Sequence, residues 1–581
     1  MAAIVAVVLV TVAAFGIGRT ILRLLGAACE TPAEEIAFSV GLGYGAIAYA
    51  VFGLGLAGGL YPWALAGLLT LPALAAVREG SSAHRAMRGT LDQAWSGNRP
   101  LAVVLGGLLL ISAAANLLAA LAPPTGGDAL TYHLAVPKIW LEEHRITALP
   151  WRWPSLGPFA VQMLYLLVMA LPGDSSPSVL AWMMGIVAAV GLIGAGSKLP
   201  RPVPPLLAAG IFYTMSTVGQ NAASTRVDLG MAMFVLLATL ACVTYLKTRQ
   251  VPWLVVAGVC AGLAAGTKHI GAAAAAVLVV GLAAFRPPRA DPSRRGGLPA
   301  AGLFALVAAG VAAPWYVRSL VLTGDPVYPF LTAVLGNPAL RERLTELTVR
   351  YGPGKTLADF ALLPIYLTAA VGPPYLSFAP FSMALWRTVQ VRFLWFVVAA
   401  LAVIWFLTAQ VIRFLLPALP AAAMLAALGF AVLDGRSAVL RTAARIVIVA
   451  GLATAAAITV YHDAGYARAA AGLESREAYL LRTIDNHDDI AWMNTHLPAD
   501  ARVLLLARYG YYLERWYIGA GTAADVDDLR RWIAEQRVSH IYCVGERCNA
   551  IAASGVRVEV LRQRPLHGNP GFSRVLRVIG P

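Results

Sequence analysis

Apolar runs of about twenty residues alternate with short charged loops from the first residues to about residue 461, and this repetition leaves the chain few ways to fold. A bilayer core about 30 Å thick is crossed by about 20 apolar residues in helical form. Lipid offers the backbone no hydrogen-bond partner, so such runs in series become a bundle of helices. Spans are expected near 3–22, 36–57, 60–77, 101–122, 178–196, 203–221, 227–246, 252–267, 269–285, 299–319, 359–385, 393–408, 410–431 and 443–461, about fourteen in all. Composition agrees: only 13% of residues are charged, against about 25% in soluble domains. The run 2–16 has no basic segment before it and is followed by further spans, so it reads as the first span and not as a cleaved signal.

The excess of 45 basic over 30 acidic residues gives a net charge of +15. These bases fall in alternate loops: Arg19 and Arg23; Arg78, Arg85 and Arg88; Lys198 and Arg201; Lys247 and Arg249; Arg286, Arg289, Arg294 and Arg295; Arg387 and Arg392; Arg436, Arg441 and Arg445. The positive-inside rule assigns them to the cytoplasm of a bacterial inner membrane, where they meet anionic lipid. No basic stripe with interleaved aromatics is present, so the expected partner is the bilayer and not nucleic acid. The alternation closes only if 156–171 does not cross. That segment is short and carries Pro158 and Gln162, which suits a re-entrant or interfacial helix. The termini, the loops 123–177 and 320–358, and the tail then face outward.

The chain accordingly divides into helices and a cytoplasmic loop over 1–100, a transmembrane unit over 101–461 and a soluble extracytoplasmic module over 475–581. In that module helices are expected at 488–496 and 526–536 and strands at 502–506 and 539–544, a small α/β unit. It has no phosphate loop, nucleophile elbow or metal motif, which leaves a structural or acceptor-binding role. Cys29, Cys242 and Cys260 read as small hydrophobes. Cys543 and Cys548 can pair on an oxidising side, though spacing alone does not fix their partners.

Ionisable groups at membrane depth are costly and usually functional. Five places on the outer side carry them. Asp128 follows Gly126 and Gly127 and precedes Tyr132 and His133; a surface carboxylate and a helix N-cap fit it equally. Arg226 and Asp228 open a span, as an interfacial cap or as a carboxylate kept ionised by its neighbour. Lys268 sits in a tight turn between two apolar helices, where it snorkels or meets a phosphate. Tyr316, Arg318 and Tyr328 flank a Gly324-Asp325-Pro326 turn; an aromatic belt accounts for the tyrosines but not for Arg318. Arg413, at the start of an apolar run, needs an anionic partner. Carboxylates and cations gathered at one face can activate a nucleophile while stabilising a departing phosphate.

This layout, carried in order by Asp128 with Tyr132 and His133, Arg226 and Asp228, Lys268, the block from Pro314 through Arg318 to Tyr328, and Arg413 with Pro417, resembles the GT-C class of integral membrane glycosyltransferases. More narrowly, it is similar to the protein-mannosyltransferase and aminoarabinose-transferase branch, which uses polyprenyl-phosphate sugars. The similarity spans about 101–431. It implies an all-α polytopic GT-C-like membrane protein that transfers a hexosyl or pentosyl group with inversion at the outer face. The donor would be a polyprenyl-phosphate sugar and the acceptor a glycan, lipid or protein. The resemblance makes Asp128 the base and Asp228 a second acid. It gives Lys268, Arg318 and Arg413 to the donor phosphate, and Tyr132, His133, Arg226, Tyr316 and Tyr328 to substrate. Many relatives carry Asp-Glu where Gly127-Asp128-Ala129 stands here. A single carboxylate is a poor divalent site, so no cofactor is expected and a divalent cation lacks support. Two other readings stay open: a lipid or polysaccharide transporter, and an inactive assembly scaffold.

Overall fold

The structure, a computed structural model, describes residues 1–70, 79–171, 175–285, 297–349, 354–519, 526–566 and 571–580. Arg78, the arginines between 286 and 295 and the second half of the span expected at 60–77 lie outside these. Among the described residues, eight helices are long and apolar enough to cross a membrane, from Ala2–Leu25 to Ala438–Ala470. Shorter apolar helices, Ala160–Met169, Val251–Ala265, His269–Ala284 and Leu419–Asp434, fill the spaces between them. The first two helices approach closely because Gly18 and Gly43 face the partner backbone, where a side chain would collide with Ser39 and Ala14 carbonyls.

The helix Asp228–Thr248 is buried from Asp228 to Leu246. It is apolar all round, as a helix enclosed by other helices must be. Its two ends divide the bundle's charges. Near Lys247, Lys198 pairs with Glu34 at 3.1 Å, both side chains 0% exposed, and with Glu30 at 3.2 Å. Lys247 also reaches Glu30, Arg19 holds Glu35, and Glu79 takes both Arg19 and Arg23. Arg19, Arg23, Lys198 and Lys247, four of the bases expected on one side, therefore share one end of the bundle, held by Glu30, by Glu34 and Glu35 in the first turn of the second helix, and by Glu79.

Three expected spans are broken, each for a local reason. The run 203–221 divides into Pro205–Tyr213 and Ser216–Ala222. Thr214 bonds back to the Gly210 carbonyl, and its own carbonyl accepts from Thr459 of the last long helix. A backbone group released at membrane depth thus keeps a partner. The run 359–385 turns by 111° at Gly372 and Pro373. In the run 410–431 the helix begins only at Leu419, and Ile412–Leu415 forms a 3-10 turn. Pro417 denies the helix a donor and crowds the carbonyl of residue 413. Arg413 therefore sits on a turn before the helix and not inside it. The segment expected to be re-entrant or interfacial contains the helix Ala160–Met169, buried from Ala160 to Val168 among its neighbours.

Beyond the last long helix lies a five-stranded sheet: β1 Arg502–Leu506, β2 Trp516–Gly519, β3 His540–Val544, β4 Arg557–Pro565 and β5 Phe572–Gly580. Its order is β2-β1-β3-β5-β4, parallel across β2, β1 and β3 and antiparallel beyond. Helices His487–His496 and Val526–Glu535 match the expected ones within a residue. Cys543 and Cys548 are bridged.

Breaking a buried ion pair strands a charge at a cost of about 3–5 kcal/mol. Lys198→Ala is therefore expected to lower the thermal unfolding temperature of the purified protein sharply. The double variant Lys198→Met with Glu34→Leu should recover most of that loss.

Candidate functional site

Asp228 is the first residue of the buried helix Asp228–Thr248, where the helix dipole favours a negative group. Its side chain is 1% exposed, and Lys268 Nζ meets Oδ1 at 2.8 Å. Lys268 comes from the turn between Val251–Ala265 and His269–Ala284 and lies 4.3 Å above the ring centre of Phe414. Arg413, next to that phenylalanine, reaches both acids: Nη2 is 2.6 Å from Asp128 Oδ2, and Nε is 3.9 Å from Asp228 Oδ2. Four segments widely separated in the chain thus converge on one cluster of two carboxylates and two cations.

Asp128 enters the cluster by way of a tight turn. Gly127 gives the needed clearance, since a Cβ there would fall 3.0 Å from Arg508 Nη2 and 3.3 Å from the Tyr509 hydroxyl. Ala129–His133 then forms one wide π-type turn. Burial disfavours ionisation of Asp128, but the nearby charges of Arg413, Lys268 and Arg226 outweigh it and hold the carboxyl below its ordinary value. For His133 burial dominates and pushes the imidazole down to about 3, so the ring is neutral. Gln162 Nε2 stands 3.1 Å from His133 Nδ1, and with the amide donating, the ring proton sits on Nε2. That nitrogen is buried without a hydrogen-bond partner among the described residues.

The Tyr132 ring lies 4.1 Å from that of His133, tilted by 49°, and is partly buried. Burial, with the Asp128 carboxylate beside it, pushes its phenol up. Arg226 is fixed through its carbonyl, which accepts from the Tyr165 hydroxyl at 2.9 Å. Its guanidinium makes no ion pair among the described residues. It lines a polar cavity of about 80 Å³ with Thr125, Gln220, Thr225, His462 and Tyr466.

Three of the expected site residues do not join. Arg318 donates to the carbonyls of Ser155 at 2.8 Å and Thr147 at 3.4 Å and lies over Trp140, so it anchors the outer loop and does not face the acids. The Tyr316 hydroxyl donates to the Ala265 carbonyl. Tyr328 lies within a turn closed by Asp325, which accepts from the backbone of Val327 and Thr332. Conversely, Gln162, Phe414, Arg508 and Tyr509 were not expected. Arg508 is exposed and follows the carboxyl end of β1, where loops of parallel sheets commonly meet ligands. Its loop is held to the bundle by Lys138, which donates to the Tyr511 and Leu513 carbonyls, and by Tyr512, which donates to the Pro124 carbonyl. Among the described residues no group of three or more His, Cys, Asp and Glu side chains is placed to hold a metal.

This arrangement of helices matches two solved structures of one protein. ArnT from Cupriavidus metallidurans bound to undecaprenyl phosphate superposes with a TM-score of 0.54 at 14% identity, over 82% of this chain and 98% of that one. Its apo state gives the same score and identity over 82% and 99%. The chain shares their fold. The polytopic helical architecture with a small C-terminal α/β module, expected from the sequence, is the architecture found. No family model and no curated protein matches the sequence.

Because Arg413 contacts both carboxylates, its loss is coupled to theirs. In a double-mutant cycle of Asp128→Asn and Arg413→Gln, the combined variant is expected to lose less stability than the sum of the single losses, by about 0.5–3 kcal/mol. Thermal unfolding of the four proteins measures it.

Proposed function

We propose that the protein is a glycosyltransferase that moves a sugar from a polyprenyl-phosphate donor to an acceptor at the outer face of a bacterial inner membrane, with inversion. The observation that carries this reading is the convergence of Asp128, Arg413, Asp228 and Lys268 at one end of the bundle. Support for the donor class comes from the shared fold with ArnT, whose structure holds undecaprenyl phosphate.

In this reading Lys268 and Arg413 receive the donor phosphate. Their present partners are the two aspartates, so the cluster is neutral until substrate arrives. The incoming phosphate competes for Arg413 and releases Asp128. Asp128, kept ionised, takes the proton from the acceptor's nucleophile as that atom bonds to the anomeric carbon. The bond from that carbon to the phosphate oxygen breaks on the opposite side, and the leaving phosphate keeps the electron pair beside the two cations. Asp228 fixes Lys268 and biases Arg413. The cavity beside Arg226 lies next to the Asp128 loop and suits an acceptor group, and Arg508 and Tyr509 flank the same loop from the C-terminal module. The bridge between Cys543 and Cys548 fits an oxidising compartment for that module.

Purified protein supplied with a labelled polyprenyl-phosphate sugar is expected to release polyprenyl phosphate in the presence of acceptor. Asp128→Asn should lower the rate by about 10²–10⁴-fold, with the fold and donor binding retained. A fully active Asp128→Asn removes the residue from the chemistry, and vectorial movement of donor without bond cleavage favours a transporter.

For the orientation, a cysteine placed at exposed Asp527 is expected to react with a membrane-impermeant maleimide in spheroplasts. Reaction only after lysis reverses the assignment.

A further inference from the structure

We propose that the protein carries a site for one anionic phospholipid at the end of the bundle opposite the carboxylate cluster. An apolar groove of about 760 Å³ runs between residues 377–384 and 432–447, lined by Phe378, Phe381, Val432, Leu433, Leu440 and Val447. Phe381, Leu440 and Val447 are each about half exposed, at 46%, 45% and 46%. From the Ser437 cap to Val447 the groove wall follows the helix Ala438–Ala470 for about 15 Å at 1.5 Å per residue. That is one leaflet's share of a core about 30 Å thick, the depth an acyl chain occupies.

Charge at the mouth selects the occupant. Arg436 lines the groove, is exposed, and makes no side-chain ion pair among the described residues. The Arg201 guanidinium lies against Gly435. Arg445 holds the Asp434 carboxylate at 2.7 Å, and Arg441 donates to the Asp434 carbonyl. Arginines 201, 436, 441 and 445 therefore surround a single carboxylate, and the surplus positive charge sits where a lipid headgroup would lie. A zwitterionic headgroup brings a second positive charge to this cluster, whereas phosphatidylglycerol brings only the negative phosphate. The groove and this surplus together point to an anionic lipid with one chain in the groove and its phosphate at Arg436.

The test uses the full-length protein, delipidated in detergent, with phosphatidylglycerol or phosphatidylcholine added and adducts counted by native mass spectrometry. One phosphatidylglycerol is expected to be retained in preference to phosphatidylcholine. Arg436→Gln should weaken that retention about fivefold. Ala443→Trp, which fills the groove without touching a charge, should reduce it as well, while both variants elute as the wild type does. Equal retention of the two lipids overturns the proposal, as does retention unchanged in both variants. One-for-one displacement by undecaprenyl phosphate also overturns it, because the groove would then hold a polyprenyl tail. The readout is independent of sugar transfer, so failure here leaves the proposed reaction untouched.

Discussion

A carboxylate at the end of a wholly buried helix has to be neutralised, and much of the outer architecture follows from that demand at Asp228. Its helix has no lipid-facing or water-facing side through which the charge could be relieved. Lys268 answers from one neighbouring turn and Arg413 from another. Each of those turns must interrupt apolar segments that would otherwise run on as helix. Between Ala265 and His269 the chain turns in three residues, and before Leu419 it makes a 3-10 turn ahead of Pro417. The breaks set the cations at the height of the acid. Arg413 then has a guanidinium edge left over, and Asp128 occupies it.

The same physics acts at the opposite end, with the signs exchanged. Lys198 is as deeply buried as Asp228, and it draws Glu30 from the connection between the first two helices and Glu34 from the first turn of the second. Charged pairs thus pin the bundle at both poles, and the stretch between is held by close contact of small residues and apolar packing. Since lipid competes with any apolar contact, interhelical packing by itself gives weak register. The polar locks supply it.

How much of this was legible in the sequence depended on whether a signal was local. Apolar runs showed where most helices lie, and the alternation of bases showed which ends belong together, because both are properties of short windows. Breaks at Thr214 and Arg413 escaped notice, since their causes are a carbonyl met by Thr459 and a proline several residues downstream. In the tail, β1, β3 and two helices stood out, whereas the arginine-rich alternation of β4 and β5 looks like solvated chain until the strands pair with one another. Asp128, Asp228, Lys268 and Arg413 were conspicuous as charges beside apolar runs. Gln162, Phe414 and Arg508 were not, because each gains its meaning from a partner far away in the chain.

Arg318 and Arg413 show where that method of reading reaches its limit. Both are arginines beside apolar segments near the same end of the bundle, and each such charge needs a partner. The partners differ in kind. Arg318 is satisfied by the carbonyls of Ser155 and Thr147 and by the face of Trp140, groups fixed in the backbone and core that no substrate can replace. Arg413 is satisfied by side-chain carboxylates, one of them 28% exposed, which carry the same kind of charge and the same paired oxygens as a phosphate. An arginine bound to backbone dipoles has neutral partners, while one bound to carboxylates has anionic ones. The two arginines thus differ in how exchangeable their partners are, and not in the presence of the charge.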